Sequence, residues 1–500
     1  MPYDGISVGV IVFSAALLFG ASRSNVPINI RLGCVLLAAL LIRTDGAWHF
    51  NLNQWDERYH ALVAKNLIAR PLVPTLYRDA PIPYDYRDWM TNHVWLHKPP
   101  GALWPMAASM AIFGTNEVAM RLPSVILATL SVWLTFLIGS ELAGARVGLL
   151  ASAFHAINGF LVALSSGRRV ADHVDTALIF WIELGVWFAI VHARRRDPSS
   201  LAAGGIALGA ALLTKSLPGL LLAAVAFAIF LEREPVINAA RRAAAVLAIG
   251  AAVWAPWMLY THLAFPREAE WSWRYTLLHL SSSLEGHNAG GWIYVLDMPQ
   301  YFGELVWIPI AAGAAAVISR PQLRGVAAWL LVTYVAFSVA RTRISSFVMI
   351  AAPAVFLIEA DFWHRLRERS RSMSAWRRGI SVVLLAGLLV LPGRYLLDPA
   401  NVFERRDRSA EASNRLRRLD RVLAIPGGVI FNAPMPIETM FYSRFLAYPQ
   451  LPTGEQVREL KAKGIPIVIY VSEGMPAIPP EWDVIMLRPS ALAEVSGAPE

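Results

Sequence analysis

Carboxylates that could act as a general base occur in two short segments of the sequence. Asp56 and Glu57 stand side by side just after an apolar run. A carboxylate placed there can accept the proton of an attacking hydroxyl group, but an Asp at the start of a helix can instead cap it by accepting backbone N–H bonds. Asp172 and Asp175 lie between two other apolar runs, where acidic side chains either face a polar cavity or are neutralised by neighbouring arginines. Each segment is therefore a catalytic candidate with a structural alternative.

Basic side chains that could bind a phosphate group occur in three other segments. Lys98 precedes two prolines, which fix the direction of the chain, and Lys215 interrupts an apolar stretch. Lysines at a membrane boundary often snorkel toward water, yet an ammonium group is also a common phosphate ligand. Arg343 follows a late apolar run, where the alternative to an anionic headgroup is an ordinary salt bridge. We therefore expect Lys98, Lys215 and Arg343 to be the phosphate-binding candidates.

Histidines could hold a metal ion, but their spacing gives only a weak indication of one. His97 directly precedes Lys98, and His287 lies in a later loop beside several aromatic residues. The histidines of that later loop lack the i, i+4 spacing of a helical zinc site. The single cysteine, Cys34, excludes an intramolecular disulfide and a cysteine-based metal site.

The composition places the chain among membrane proteins. Its 500 residues are 56% hydrophobic and 16% charged, with a mean hydropathy of +0.46, outside the range of soluble domains. The formal net charge of +9 comes from short basic clusters between apolar runs, as the positive-inside bias predicts, so no nucleic-acid partner is expected. We predict about twelve spans, within one or two, near residues 6–22, 30–43, 122–140, 147–166, 174–192, 201–216, 217–231, 240–262, 301–319, 325–341, 346–360 and 378–393.

Arginine clusters between these runs predict the orientation of the chain. Strict alternation puts every cluster in the cytoplasm when the first run is retained as a span. The clusters contain Arg194, Arg195, Arg196, Arg233, Arg241, Arg242, Arg320, Arg324, Arg365, Arg367, Arg369 and Arg371. The outer loops 43–114 and 262–300, and everything after 394, then face the extracytoplasmic side of a bacterial inner membrane.

Two domains are predicted. Residues 1–394 form an all-α polytopic membrane domain, whose first outer loop carries an amphipathic helix that begins at Asp56 and Glu57 and ends at Arg70-Pro71. A second such helix follows in 104–113. Residues 395–500 alternate a charged helical stretch (404–423), a further helix after Thr453, and strands near 428–431, 465–471 and 484–487. This alternation predicts a small extracytoplasmic α/β domain.

The order of these motifs resembles the GT-C glycosyltransferases, in particular bacterial relatives of the protein O-mannosyltransferases and the lipid A aminoarabinose transferases. The resemblance covers roughly the first 360 residues. The matching segments are Asp56-Glu57, Trp95-Leu96-His97-Lys98-Pro99, Phe113 to Ser124, Asp172 to Leu178, Leu213-Thr214-Lys215, Glu285 to Tyr294 and Arg341 to Pro353.

This resemblance implies the GT-C fold and an inverting transfer of a monosaccharide from a polyprenyl-phosphate carrier to a lipid, glycan or protein acceptor. Asp56 would be the general base or would orient the acceptor. Lys98, with Lys215 or Arg343, would stabilise the departing phosphate. The resemblance also implies that Glu57 is a catalytic residue beside Asp56, and that Asp172 or Asp175 supports the acceptor or orders the first loop. It places Arg58, Tyr59, Trp95 and His287 in the substrate cavity.

One departure from the family concerns a metal. The residue before the Lys-Pro motif is often a glutamate that helps to hold a metal in the aminoarabinose enzymes, whereas this chain has His97. His97 with His287 could still bind a divalent metal such as zinc.

Two other functions share some of these sequence features. A transporter or flippase of lipid-linked sugars would share the cations and the many spans, but it usually shows inverted repeats and short loops. Here the polar residues collect at one predicted face and no repeat is visible. A binding module on a membrane anchor would need one span rather than a dozen.

The predicted orientation can be tested with reporter fusions. Fusions after Arg196 and after Arg371 should report the cytoplasm, and a fusion after Leu451 should report the extracytoplasmic space, because the arginine clusters stay inside. A cytoplasmic signal after Leu451 would put the candidate residues on the wrong side for an extracytoplasmic transferase.

Overall fold

The structure, a computed structural model, describes residues 4–317, 319–320, 323–398, 401–404 and 407–493. Its contacts divide the chain into two compact units. The first comprises Met1–Trp48, His97–Ala102 and Arg121–Arg405, and the second comprises His49–Leu96, Leu103–Met120 and Arg406–Glu500. This grouping differs from the predicted domains 1–394 and 395–500, because residues 49–96 and 103–120 cluster with the C-terminal residues.

Helices are numbered along the whole chain. They are α1 (Gly5–Ser22), α2 (Ile28–Ala47), α3 (Asp56–Ala69), α4 (Leu103–Phe113), α5 (Glu117–Ala143), α6 (Ala145–Ile157), α7 (Gly159–Ser165), α8 (His173–Arg195), α9 (Pro198–Thr214), α10 (Ser216–Gly219), α11 (Leu221–Leu231), α12 (Val236–Ala264), α13 (Pro266–Ser281), α14 (Ile293–Leu296), α15 (Met298–Phe302), α16 (Trp307–Ala316), α17 (Arg324–Val339), α18 (Ala352–Ser370), α19 (Ala375–Arg394), α20 (Asp407–Arg417), α21 (Leu419–Leu423), α22 (Pro436–Tyr442), α23 (Gly454–Ala462) and α24 (Pro489–Ala493). Among the residues that the structure describes, 3₁₀ helices cover Ser345–Ala351 and Pro480–Trp482.

The first unit is a helical bundle with fewer full-length spans than predicted. By length and composition, six helices of the described residues could cross a membrane, or seven if α6 and α7, bent by 59°, form one span. Five further apolar helices have 10–17 residues, and a membrane crossing needs about 20 residues. The predicted count of about twelve is therefore not confirmed. The six are α1, α5, α8, α12, α19 and the continuous segment Ser345–Ser370.

The second unit contains the predicted amphipathic helix and a small parallel sheet. Helix α3 begins at Asp56 and is followed by Arg70, as predicted, and α4 occupies the position of the second predicted helix. Strands β1 (Val429–Phe431), β2 (Leu446–Ala447), β3 (Ile467–Tyr470) and β4 (Ile485–Leu487) form a parallel sheet in the order β2-β1-β3-β4. Three of the strands fall where strands were predicted. That the C-terminal residues are a separate domain stays a prediction.

Helices α9 and α12 of the first unit approach each other through glycines. Gly205 and Gly209 lie one turn apart on α9, the small-residue spacing that lets two helix backbones come close in a membrane. A Cβ atom at Gly205 would lie 2.6 Å from Cβ of Ile249, and one at Gly250 would lie 2.7 Å from Cγ of Leu208. The close contact between α9 and α12 is therefore possible only because these positions are glycines. It matters for the site because α9 leads directly into Lys215.

Filling this contact should destabilise the first unit. We expect Gly205→Leu to lower the thermal unfolding temperature in detergent, because overpacking of a tight contact costs about 1–3 kcal/mol. Gly33→Leu is the matched control, since no atom lies within 4 Å of a Cβ at Gly33. Equal melting temperatures for the two variants would contradict the packing that the structure shows.

Candidate active site

The two lysine segments of the first unit lie side by side. The backbone N–H of Gly101 donates to the carbonyl oxygen of Leu213 at 2.7 Å. A Cβ atom at Gly101 would lie 2.7 Å from that oxygen and 2.8 Å from Oγ1 of Thr214, so only glycine permits this approach. The segment that carries Lys98 is thereby fixed to the end of α9, where Lys215 follows.

Lys215 occupies the break between α9 and α10 and is paired with an acidic residue. Its Nζ lies 2.8 Å from Oδ1 of Asp175, whose side chain is almost fully buried, and 4.5 Å from the centroid of the Phe347 ring. Of the two arginines before α8, Arg168 donates to the backbone carbonyls of Gly46, Asn401 and Glu404. The two motifs thus form one ion pair, which the sequence alone did not reveal.

Asp172 has a structural role in the same helix. It is the N-cap of α8, and its side chain accepts a bond from the N–H of Val174 at 3.2 Å. Asp172 is fully buried, and capping in this way satisfies a backbone donor that the helix cannot. This contact favours Asp172 as a residue that orients α8 and so positions Asp175.

Histidine and aromatic side chains of α13 lie near both lysines. Nε2 of His97 is 2.9 Å from Nζ of Lys98, and the His97 ring is 5.7 Å from the Tyr275 ring. The hydroxyl of Tyr275 donates to Glu285 at 2.9 Å. Burial lowers the pKa of His279, and the positive charges of Lys98 and Lys215 lower it further, against the opposing effect of its bond to the Tyr275 carbonyl and of Glu285. The charges that act on His279 are therefore those of two lysines and one glutamate.

Arg343 secures the loop beside this histidine. Its guanidinium group donates to the carbonyl oxygens of Ala289 at 2.5 Å and Ser338 at 3.0 Å. Its backbone N–H donates to the carbonyl of His287 at 3.3 Å, and that of Thr342 donates to the carbonyl of His279 at 3.1 Å. These contacts assign Arg343 to holding the loop, and its role as a phosphate ligand stays a prediction.

His97 and His287 do not fit the divalent-metal site that the sequence analysis allowed. Within the described parts of the chain, no three histidine, cysteine, aspartate or glutamate side chains form a group that could hold a metal ion. Nε2 of the His97 imidazole lies 2.9 Å from the Lys98 ammonium group, which repels a cation. His287 contributes its backbone carbonyl to Ser283 and Arg343. We therefore assign no chemical step to a metal on His97 and His287.

In the second unit, the acidic pair stands at the start of α3. Trp55 and not Asp56 is the N-cap residue, it has a φ of 71°, and no side chain caps the helix. Glu57 is fully buried and accepts hydrogen bonds from the backbone and the side chain of Asn53. Asp56 is only partly buried. Glu57 therefore holds the turn, and Asp56 is the more exposed carboxylate of the pair.

The predicted cavity residues of this unit lie mostly in its interior. Trp95 is fully buried and donates its indole N–H to the carbonyl of Trp89 at 3.0 Å. The ring of Tyr59 packs edge-on against Trp89. Arg58 pairs with the buried Glu438 at 3.3 Å. These contacts favour packing roles for Tyr59 and Trp95 and a structural ion pair for Arg58.

A buried polar network of the first unit was missed by the sequence reasoning. Thr135 donates to Glu183 at 2.6 Å and lies 2.8 Å from Nδ1 of His155, and all three side chains are buried. A signal existed, because an acidic residue inside the apolar run 174–192 is costly in lipid and must find a partner. Its partners could not be read from spacing.

Comparisons with known proteins match the part of the chain that carries these residues. Residues 97–260, which contain Lys98, Asp172, Asp175 and Lys215, match the family described as dolichyl-phosphate-mannose-protein mannosyltransferase. Similar curated proteins are the undecaprenyl phosphate-alpha-4-amino-4-deoxy-L-arabinose arabinosyl transferases of Pseudomonas paraeruginosa (26% identical, 63% of this chain and 61% of the relative) and Pseudomonas fluorescens (24%, 63% and 58%). The chain thus spans about three fifths of the length of these relatives.

Solved structures share the fold. ArnT from Cupriavidus metallidurans bound to undecaprenyl phosphate has a TM-score of 0.62 at 15% identity, over 91% of this chain and 88% of that one. The archaeal oligosaccharyltransferase AglB from Archaeoglobus fulgidus, in complex with an inhibitory peptide and a dolichol-phosphate, has a TM-score of 0.51 at 15% identity, over 84% and 64%. The resemblance to the GT-C glycosyltransferases is therefore confirmed.

The electrostatic coupling around His279 gives a direct test of the site. We expect Lys98→Ala to raise the pKa of His279, because removing a nearby positive charge makes protonation of the imidazole easier. The pKa can be followed by NMR of histidine-labelled protein in detergent, with His279→Gln to assign the signal. Lys461→Ala, which removes a lysine paired with Asp483 in the other unit, should leave it unchanged. An unaltered pKa in Lys98→Ala would separate Lys98 from this site.

Proposed function

We propose that this protein is an inverting glycosyltransferase that moves a monosaccharide from a polyprenyl-phosphate carrier to a lipid, glycan or protein acceptor. The transfer would take place at the extracytoplasmic face of a bacterial inner membrane. The observation that carries the proposal is the pair of lysine segments joined by the Gly101–Leu213 hydrogen bond. The names of the curated relatives, which specify an undecaprenyl phosphate sugar, support the choice of donor.

Two lysines are suited to the leaving group. When the bond between the anomeric carbon and the phosphate oxygen breaks, its electron pair stays on the phosphate, whose negative charge increases. Cations held in place before the reaction stabilise such charge without reorganisation. Asp175 holds the Lys215 ammonium group by a 2.8 Å ion pair, and the Gly101 contact holds the Lys98 segment, so both charges are fixed in advance.

The acceptor hydroxyl needs a base. In an inverting transfer, the acceptor oxygen forms its bond to the anomeric carbon from the face opposite to the phosphate, and its proton must leave. We assign this proton to Asp56, because Glu57 is buried and bonded to Asn53 whereas Asp56 is partly exposed. Asp56 would alternatively orient the acceptor. Asp175 positions Lys215 through their ion pair. Asp172 positions the start of α8 as its N-cap.

A transporter of lipid-linked sugars would need the cations but no base. A glycosyltransferase and a transporter would both bind the donor, so donor binding alone cannot distinguish the two functions. The chemical step can, because only a transferase depends on a group that removes the acceptor proton.

Asp56→Asn and Lys98→Ala should therefore fail in different ways. We expect Asp56→Asn to lose transfer by about 10²–10⁴-fold, the usual contribution of a general base, while it binds undecaprenyl phosphate normally. Lys98→Ala should weaken that binding as well as turnover, because a phosphate ligand acts in the ground state and the transition state. Lys98→Arg should recover little, since a guanidinium group is larger and differently shaped than an ammonium group.

Transfer from a radiolabelled polyprenyl-phosphate sugar in detergent and binding of undecaprenyl phosphate are the two measurements. Asp85→Asn is the matched control, because Asp85 is an exposed aspartate of the same segment that pairs with Arg87. If Asp56→Asn keeps most of the transfer activity, Asp56 is not the base. If Lys98→Ala binds undecaprenyl phosphate like the unmodified protein, the phosphate must be placed on Lys215 instead.

A further inference from the structure

The second unit contains a large cavity that the transfer reaction as described does not use. Its volume is about 790 Å³, within the range of small-molecule and cofactor sites. It lies between the C-terminal half of α3, the loop that follows it, and the segments around β1 and α22. Charged residues of its lining are Lys65, Arg78, Asp79, Arg417, Asp420 and Arg444. We call this cavity the basic cleft, because its lining carries four positive and two negative side chains.

Most of these charges have partners within the unit. Arg417 pairs with Glu117 at 2.5 Å, Arg444 with Asp420 at 3.4 Å, and Asp79 with Arg70 at 2.8 Å. Arg78 differs from them. It is exposed, and it makes no hydrogen bond or ion pair with any of the residues that the structure describes. Its guanidinium group is therefore available to a ligand.

Lys65 forms the floor of the cleft. Its Nζ donates to the carbonyl oxygens of Met440, Phe441 and Ser443 at 2.7, 2.8 and 3.1 Å, which occupies all three of its N–H donors. Burial lowers the pKa of Lys65 to about 8, so the group is still mostly charged at pH 7. It contributes positive potential to the cleft, and the direct contact with an anion falls to Arg78, whose planar guanidinium group can bind a phosphate or carboxylate in a bidentate manner.

The rest of the lining suits a sugar. The neutral polar residues Asn66, Thr115 and Ser443 and the aromatic residues Phe441 and Tyr442 also line the cleft. Asn66, Ser443 and Tyr442 already hydrogen-bond within the unit, so the exposed hydroxyl of Thr115 is the group that can bond a sugar hydroxyl. The partly exposed side chains of Pro81, Leu446 and Ile465 offer apolar surface to a sugar ring. A ligand that joins one anionic group to a sugar ring matches both parts of the lining.

The cleft and Asp56 share one rigid element, helix α3. Lys65 follows Asp56 by nine residues, which corresponds to about 14 Å along a helix. A molecule that reaches both places is therefore longer than a single sugar.

We propose that the basic cleft is a second binding site for the acceptor, and that it takes the phosphate or carboxylate group of an extended acidic saccharide, with Arg78 as the residue that recognises the anion. This assignment rests on the proposed function for the acceptor's identity, because Asp56 is the base only if transfer occurs. The occupancy of the cleft itself does not depend on transfer, and the two can be tested apart.

Binding to the cleft is measured on the full chain in detergent by calorimetry. The probes are trehalose 6-phosphate, trehalose as its neutral match, and inorganic phosphate as the anion without a sugar. We expect trehalose 6-phosphate to bind more tightly than either, and Arg78→Ala to weaken it by about tenfold or more, the loss of a charge-assisted contact. Arg78→Lys should recover only part of the affinity.

Arg87→Ala is the matched control, because Arg87 is also an exposed arginine of the first outer loop, it pairs with Asp85, and it does not line the cleft. Since Arg78 is exposed and makes no contacts that hold the fold, its variants should melt at the normal temperature. Equal affinity of Arg78→Ala and the unmodified protein for trehalose 6-phosphate overturns the site. If inorganic phosphate, or a phosphopeptide added as a further probe, binds as tightly as trehalose 6-phosphate, the ligand of the cleft is not a saccharide.

Kinetics connect the cleft to transfer. With an acidic saccharide acceptor, Arg78→Ala should raise the KM for the acceptor and leave binding of undecaprenyl phosphate unchanged. If no transfer is found for the unmodified protein, the proposed function fails while the calorimetry still decides the cleft. If transfer is found and Arg78→Ala leaves the acceptor KM unchanged, the cleft is not part of the acceptor site.

Discussion

The backbone contact at Gly101 is the constraint on which the candidate phosphate site depends. It brings a segment with two prolines and a lysine against the end of α9, at a distance that no side chain at position 101 would allow. The prolines restrict how that segment can move, and the glycine contacts between α9 and α12 fix the helix to which it is attached. Glycines thus position the segments that carry Lys98 and Lys215. The lysines themselves contribute little to this arrangement, since like charges repel each other and need an external reason to stay close.

Charge pairing supplies the rest of that reason. A cation inside a low-dielectric site costs free energy unless an acidic partner or an anionic ligand is present. Asp175 meets this need for Lys215. The same rule explains ion pairs elsewhere in the first unit, where Asp361 is contacted by both Arg320 and Arg365. Arg78 of the second unit does not need an acidic partner, because its guanidinium group is exposed to water. It can therefore stay unpaired until a ligand binds.

Local patterns predicted the elements of this protein better than its contacts. Helix α3 could be bounded from the sequence because its apolar spacing and Arg70-Pro71 are local signals. Strands β1, β3 and β4 were found for the same reason, whereas β2 has only two residues and gives no periodic signal. The predicted number of spans is not confirmed, because an apolar run of 10–17 residues has the composition of a span without its length.

The candidate site was predicted as a set of residue types and not as a set of contacts. Lys215 and Asp175 were both identified, but their ion pair joins residues 40 positions apart, and nothing local specifies such a partner. For Trp95, the motif suggested a role that the contacts do not favour. Its place beside a lysine motif suggested a cavity residue, whereas its full burial and its bond to Trp89 are properties of the packed unit that a motif does not encode.

The buried network around Glu183 shows how the membrane part can determine the geometry of the site. Thr135 of α5, His155 of α6 and Glu183 of α8 are joined by hydrogen-bonding contacts of 2.6 and 2.8 Å, and a polar group in that environment has no water to replace a lost partner. Rotation of α8 would break these contacts, so its rotation is fixed. Asp175 precedes Glu183 by eight residues, which is a little over two helical turns, so both side chains are carried by the same part of α8. Fixing Glu183 between two neighbouring helices therefore also fixes the direction in which the first turn of α8 presents Asp175 to Lys215.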